Sequence, residues 1–255
     1  MALHTNLYSS RLGAESINNE GHRMKCVEYR SSKDITVEFD NGCRVVTRWR
    51  YFVEGAVRNL THPVVYGVGF VGIGTYKTQE NGTDSKPYVI WHGMLRRCYE
   101  EVPTKRNSAY QGCTVDKEWH NFQNFAKWYE ENFYQVGDEV MHLDKDILVK
   151  GNRVYSPDTC IFVPYQINML FTNRRKDKGA YPTGVTKRTN GKYAARLNKK
   201  HTRCSLGSFN TPEEASLAYR AAKEEYIKEV AMQYKPFIPN NLYVALLNYK
   251  EESDD

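Results

Sequence analysis

Gly184-Val185-Thr186-Lys187-Arg188-Thr189-Asn190-Gly191-Lys192-Tyr193-Ala194-Ala195-Arg196, then Leu206-Gly207-Ser208-Phe209, then Thr211-Pro212-Glu213-Glu214-Ala215, is the stretch whose reading decides the fold. It reads as a three-stranded sheet backed by one helix. Thr211 is the expected N-cap, Pro212 takes the first helical position and Glu214 completes a capping box. The helix is expected to run to about Met232, packing Ala215, Ala218, Tyr219, Ala222 and Tyr226 on the sheet and leaving Glu213, Lys223, Glu224 and Lys228 wet. Between Arg174 and Arg203 lie Arg174, Arg175, Lys176, Lys178, Lys187, Arg188, Lys192, Arg196, Lys199, Lys200 and Arg203, with Asp177 the only acid. The interleaved Tyr181, Val185, Tyr193, Ala195 and Leu197 mark this basic run as folded rather than a solvated linker. A basic sheet supported by a helix can enter a major groove, so double-stranded DNA is the expected partner.

Upstream, the chain divides by composition. Residues 1–20 are polar and aperiodic and read as a mobile arm. Residues 21–76 read as a β-rich, SH3-like, barrel-like module. Ile35-Thr-Val37-Glu-Phe39 alternates apolar and polar, and Asp40-Asn41-Gly42 is a hairpin signal because Asn and Gly tolerate positive φ. Gly67-Val-Gly69-Phe-Val-Gly72-Ile-Gly74 lacks a Gly-Lys-Ser/Thr ending and a following helix. It therefore reads as a bent strand or a close backbone approach, not a phosphate loop. Residues 77–87 are a polar linker. Val89, Ile90, Met94 and Leu95 predict one helix, and Phe122, Phe125, Ala126 and Tyr129 a second over about 119–133. From Leu143 to Phe171 the order strand, loop, strand, helix is expected. Residues 236–255 read as a tail, with the apolar Leu242–Leu247 able to dock on a neighbour.

Bulk properties bound the function. The 255 residues carry a net charge of +6, which makes polyanions plausible partners. No apolar run reaches the roughly 18–20 residues that span a bilayer. Met1 to Asn19 lacks the basic start and apolar core of a signal peptide, so no membrane partner and a cytoplasmic location are expected. The six cysteines form no C-x-x-C pair and are expected to be reduced and mostly buried. A zinc site from Cys98, Cys113, Cys160 and His120 is the competing reading.

Residues 181–232 resemble an AP2 DNA-binding domain. Gly184-Val185, Lys187-Arg188, Gly191-Lys192-Tyr193-Ala194-Ala195, Leu206-Gly207-Ser208-Phe209 and Thr211–Ala215 leading to Ala218-Tyr219 carry the resemblance. It implies that the sheet, not the helix, lies in the major groove. Lys187, Arg188, Lys192 and Tyr193 then match contacting or groove-lining positions. Thr186, Asn190, Ser205, Arg196 and Asn198 depart from the family pattern, which changes base specificity and leaves the electrostatic footprint. Arg174, Arg175, Lys199 and Arg203 extend the basic surface. Residues 88–171 resemble bacteriophage HNH endonucleases through Trp91-x-x-Met94-Leu95-x-Arg97-Cys98-Tyr99, Cys113-Thr-Val-x-x-x-Trp119-x-x-Phe122-x-x-Phe125, Leu143-Asp-Lys-Asp-Ile-Leu148 and Tyr155-Ser-Pro-x-Thr-Cys160. The expected fold class is therefore α+β, with an N-terminal β module, a central ββα module and a C-terminal sheet plus helix.

The second resemblance implies metal-assisted phosphodiester hydrolysis. The family's Asp-His pair falls on Asp144-Lys145, its middle Asn on Thr159, and its last ligand on Asn168. Asp144 and Asn168 would then hold Mg²⁺, an ion that prefers oxygen ligands and keeps water. Lys145 at pH 7 is a cation rather than a base. His142, two residues before Asp144 on the same strand face, is the alternative base, and Asp146 an additional acid. A charged turn that only braces the hairpin is the other reading of Asp144-Lys145-Asp146. Three functions follow: a DNA-binding protein with a degenerate nuclease centre, an active Mg²⁺-dependent endonuclease, or a protein-binding regulator that uses its N-terminal module.

Overall fold

The computed structural model describes residues 10–101, 110–171, 180–200 and 202–251. The chain is α+β, with several small sheets and six α-helices among the described residues. It divides into two compact units, Met1–Glu130 and Glu131–Asp255.

The first unit opens with an antiparallel meander of β1 (Glu15–Ile17), β2 (Arg23–Ser31), β3 (Asp34–Phe39) and β4 (Arg44–Thr47), in that spatial order. On β3, Ile35, Val37 and Phe39 are buried together with Met24, Cys26, Phe52 and Val57, as the alternation predicts, but Thr36 on the other face is buried too, its hydroxyl donating to the Glu28 carboxylate (2.8 Å). At the expected hairpin the Gly42 amide donates to the Phe39 carbonyl (2.8 Å), with Gly42 at φ 81°. The barrel expectation is corrected. β1 and β4 remain the two edges of an open sheet, because β1 has only three residues and pairs with β2 alone.

Helix α1 (Trp49–Val53) follows, then the glycine-rich segment and the short β5 (Gln79–Glu80) and β6 (Thr83–Asp84). Next come α2 (Lys86–Tyr99), β7 (Thr114–Val115) and α3 (Phe122–Asn132). The glycines allow a close backbone approach, as expected. A Cβ on Gly72 (φ 76°) would collide with the Asn121 side chain, and one on Gly69 would meet the rings and methyls of Trp91 and Leu95. The Gln123 side chain accepts from the Tyr76 amide (3.0 Å) and donates to the carbonyls of Val71 and Tyr76. A polar segment is thereby tied to the aromatic core of Trp91, Trp119, Phe122 and Phe125.

The second unit contains β8 (Met141–Asp144), β9 (Val154–Tyr155), β10 (Ile161–Pro164) and α4 (Tyr165–Phe171), with β8 antiparallel to β10. Then come β11 (Val185–Lys187), β12 (Tyr193–Lys199), β13 (Thr202–Phe209), α5 (Pro212–Tyr234) and α6 (Asn240–Leu247). The strands form one antiparallel sheet in chain order. The Thr211 hydroxyl accepts from the Glu214 amide (3.1 Å), and the Glu214 carboxylate accepts in return from Asn210. That is the capping box, reaching one residue further out than expected. Gly184, at φ 77°, has no room for a Cβ because Tyr219 of α5 lies against it.

The helix does more than back the sheet. Its first turns pack Ala215 and Ala218 under Val185, Tyr193 and Ala195. Its later turns bury Tyr226, Ile227, Val230, Ala231 and Tyr234 in one core with Ile161, Val163, Ile167, Leu197, Leu242 and Leu246. Residues 236–247 are thus no tail but a turn and a docked helix. Lys223 was expected to be wet; instead it is 7% exposed, and its ammonium donates to Glu251 at 2.9 Å. Tyr249 also donates to Glu251 (2.6 Å). An ammonium on that face tolerates burial only because the chain end returns to it.

Two stability outcomes follow. Glu251→Ala should cost about 3 kcal/mol in denaturant unfolding by stranding a buried cation, and Lys223→Met in the same background should recover most of it. Gly72→Ala should cost at least about 2 kcal/mol, since both its φ and the Asn121 contact oppose a side chain.

Candidate nucleic-acid interface and metal site

The strand register sorts the basic residues by face. Tyr193 pairs with Lys187 and Phe209, Ala195 with Val185 and Gly207, and Leu197 with Cys204. These rows hold the residues packed on α5, so they look inward. The alternate rows therefore lie on the opposite face: Thr186–Ala194–Ser208, Arg196–Ser205 and Asn198–Arg203, of which Ala194 is fully buried while Thr186, Ser208, Ser205, Asn198 and Arg203 are exposed. A bulge opposite Ala195/Arg196 absorbs Leu206 and keeps both patterns in phase. Arg196 and Arg203 accordingly share one face. Arg188 and Lys192 stand at its end, in the turn where the Arg188 amide donates to the Lys192 carbonyl (2.8 Å). No acid occurs from Val185 to Phe209.

The other cations are placed differently. Lys199 lies in an inward row, donates to Glu229 of α5 (3.0 Å) and stands 5.0 Å from the centre of the Tyr226 ring. Lys187 is on an inward row at the exposed edge strand, 5.9 Å from the Tyr193 ring centre. Tyr193 packs edge-on against Tyr181. Arg174 and Arg175 lie outside the described residues. The sequence pattern missed the sorting because a bulge cannot be read from it. The partner of Lys199 lies thirty residues on, on another element.

The second site surrounds β8. His142 and Asp144, two residues apart on it, stand opposite Val163 and Ile161 of β10. The His142 ring lies 5.7 Å from that of Tyr165, at the start of α4. Asn168 is on α4, which packs against both strands. One Asp144 oxygen accepts from the amides of Asp146 and Ile147, both at 2.8 Å, closing a tight turn at the strand end. Burial, and then the neighbouring Asp146 carboxylate, push the Asp144 carboxyl up to about 6 against those two amides.

Lys145 is turned into this turn. Its ammonium donates to Asp146 (3.0 Å) and to the Asn152 carbonyl (3.0 Å), and only 8% of the residue is exposed. In that setting it is a cation that braces the loop and has no lone pair to offer. Asn152, in the loop expected between the two strands, closes it by donating to the carbonyls of Lys145 and Val154 (both 2.7 Å). Thr159 bonds Ser156 (2.8 Å) and the Val154 carbonyl, holding the strand that leads to β10.

The donors here are oxygens, and a half-buried carboxylate crowded by a second one suits a hard divalent ion. Among the described residues no group of three or more His, Cys, Asp or Glu is disposed to hold a metal. An ion on Asp144 would thus depend on the Asn168 amide and on water. All six cysteines are free thiols, with Cys26, Cys43, Cys113 and Cys160 buried, and burial raises Cys160 to about 12. No helix among the described residues is long and apolar enough to cross a membrane. Compared with family models, curated proteins and solved structures, the chain matches none.

The raised Asp144 value has a definite consequence. The folded state holds this proton more tightly than the unfolded chain, so its contribution to stability falls as pH rises from about 4 through about 6. Asp144→Asn keeps an oxygen for both amides and removes the half-buried charge. In chelator-treated protein it should gain about 2 kcal/mol over wild type at pH 7.5 and nothing at pH 4, measured by urea unfolding.

Proposed function

We propose that this chain is a double-stranded DNA-binding protein of the phage HNH and AP2 type, with the C-terminal sheet as its groove reader. The carrying observation is the outward face of that sheet. Its side chains are Arg196, Arg203, Asn198, Thr186, Ser205 and Ser208, with Arg188 and Lys192 at one end and no acid among them. Arg suits both phosphates and guanine edges, while Asn and Ser add donors and acceptors for bases. The inward rows are committed to α5, which leaves the helix as a support.

Affinity for duplex DNA should be strongly salt-dependent. With about six phosphate contacts it should fall roughly a thousandfold between about 50 and 200 mM salt. Arg188→Ala/Arg196→Ala/Arg203→Ala should abolish most of the binding, while Lys199→Ala, which removes an intramolecular pair, should change it little. Equal effects of the two variants in fluorescence anisotropy would count against the groove-reading face.

A second reading has its own support. Asp144 is a half-buried carboxylate pushed up to about 6, on the same strand as His142, and the helix that carries Asn168 packs against that strand. We propose a Mg²⁺-dependent endonuclease centre with His142 as base, Asp144 and Asn168 as ligands and Asp146 as the neighbouring acid. The ion would supply charge stabilisation on phosphate and leaving group. Plasmid nicking with Mg²⁺ or Mn²⁺ that vanishes in Asp144→Ala and His142→Ala is the expected outcome. No cleavage with either metal, and no Mg²⁺-induced rise in melting temperature above pH 6, would leave a DNA-binding protein with a braced, non-catalytic turn.

A further inference from the structure

Helix α2 carries Lys86, His92, Arg96 and Arg97, and from Lys86 to Tyr99 it contains no acid. Trp91, Met94 and Leu95 are buried. Tyr88, Val89, His92, Gly93 and Arg96 recur at spacings of three and four and form a strip along another side. Val89 is 55% exposed and Arg96 is exposed.

Tyr66 reaches this strip from the preceding loop. Its ring centre is 5.1 Å from that of His92, and Tyr88 is 5.9 Å from His92 on the other side. Tyr66 holds φ 51°, a left-handed conformation that a bulky residue adopts only when its surroundings demand it. Among the described residues, neither phenol, the His92 ring nor the Arg96 guanidinium makes a hydrogen bond or an ion pair. Burial, then Asp84 and Tyr66, raise the Tyr88 phenol, which keeps it a donor. Four polar tips thus end on one half-buried strip with no internal partner.

Gly93 lies in the middle of it. Glycine inside a helix is disfavoured relative to alanine, and a tight packing contact would explain one. Among the described residues none is present: a methyl here would meet only the Arg97 guanidinium, at an ordinary 3.8 Å. The glycine leaves bare backbone between His92 and Arg96, as a close approach from outside would require.

We infer that this strip of α2, with Tyr66, Tyr88, His92 and Arg96 as donors around Gly93, is a second contact surface for the phosphate backbone of duplex DNA. The inference rests on the DNA-binding reading and assigns a role to the first unit. Charge complementarity favours a polyanion, since acids occur only at the ends, at Asp84 and at Glu100-Glu101. The rings are tilted by 60° and 44°, so they present tips rather than a flat platform, which suits phosphate oxygens better than stacked bases.

The test is anisotropy of the full chain on duplex DNA across a salt series. His92→Gln/Arg96→Gln should weaken binding about tenfold, the worth of one charge-assisted contact, and make the log–log salt slope shallower by about one. Gly93→Glu, which removes no donor but adds a negative charge, should weaken binding by at least as much. Melting temperatures should fall only slightly, because these groups lose no hydrogen bond or ion pair and only the His92 ring contacts with Tyr66 and Tyr88. Unchanged affinity and slope in both variants, with Arg188→Ala/Arg196→Ala/Arg203→Ala still impaired, overturns the α2 contact and leaves the DNA reading standing. A wild-type chain that does not bind duplex DNA overturns both. Impaired binding of single-stranded but not duplex DNA overturns the backbone contact proposed here.

Discussion

Everything in the second unit depends on how α5 is buried. Its first half supports the three-stranded sheet through alanines, which let strands and helix approach closely. Its second half switches to Tyr226, Ile227, Val230 and Tyr234 and fills a core shared with β10, α4 and α6. At roughly 1.5–3 kcal/mol per large apolar side chain, that core gives the helix reason to run 23 residues. The sheet, its helix and the ββα hairpin are consequently packed as one body.

Charge is handled differently on the two surfaces of that body. On the sheet, the outward cations carry no acidic neighbours, so their field projects into solvent. Elsewhere in the unit, cations are neutralised with care: Lys199 by Glu229, Lys223 by Glu251, Lys145 by Asp146. The contrast is what the proposed binding role of the uncompensated face rests on. The turn at Asp144 combines the two situations, with the Asp146 carboxylate paired to Lys145 and the Asp144 carboxyl pushed up by burial and by Asp146.

Much of this was legible along the chain wherever local chemistry decides. The Asp40-Asn41-Gly42 hairpin, the alternation of β3, the Thr211 cap and the close approach of the glycine-rich segment all follow from short-range rules. The barrel did not follow, because closure needs an edge strand long enough to pair on both sides. Lys223 was misjudged because helical periodicity assigns faces against a single partner surface. This helix has several, and the chain end covers the face that was expected to be wet. At the candidate metal turn, the sequence pointed to Asp144, His142 and Asn168. It could not show that Lys145 would fold inward on the Asn152 carbonyl.

The amino-acid sequence by itself determined the elements and the sign of the surface: a basic three-stranded sheet, a capped helix behind it, and a strand–strand–helix hairpin upstream. Short-range sterics, capping and periodicity are enough for that. The tertiary structure alone decided which cations face out. A single bulge sets the phase of β13, and partners distant in sequence, Glu229 and Glu251, claim Lys199 and Lys223. Side-chain charge is a property of the residue, whereas the availability of that charge depends on what folds back against it.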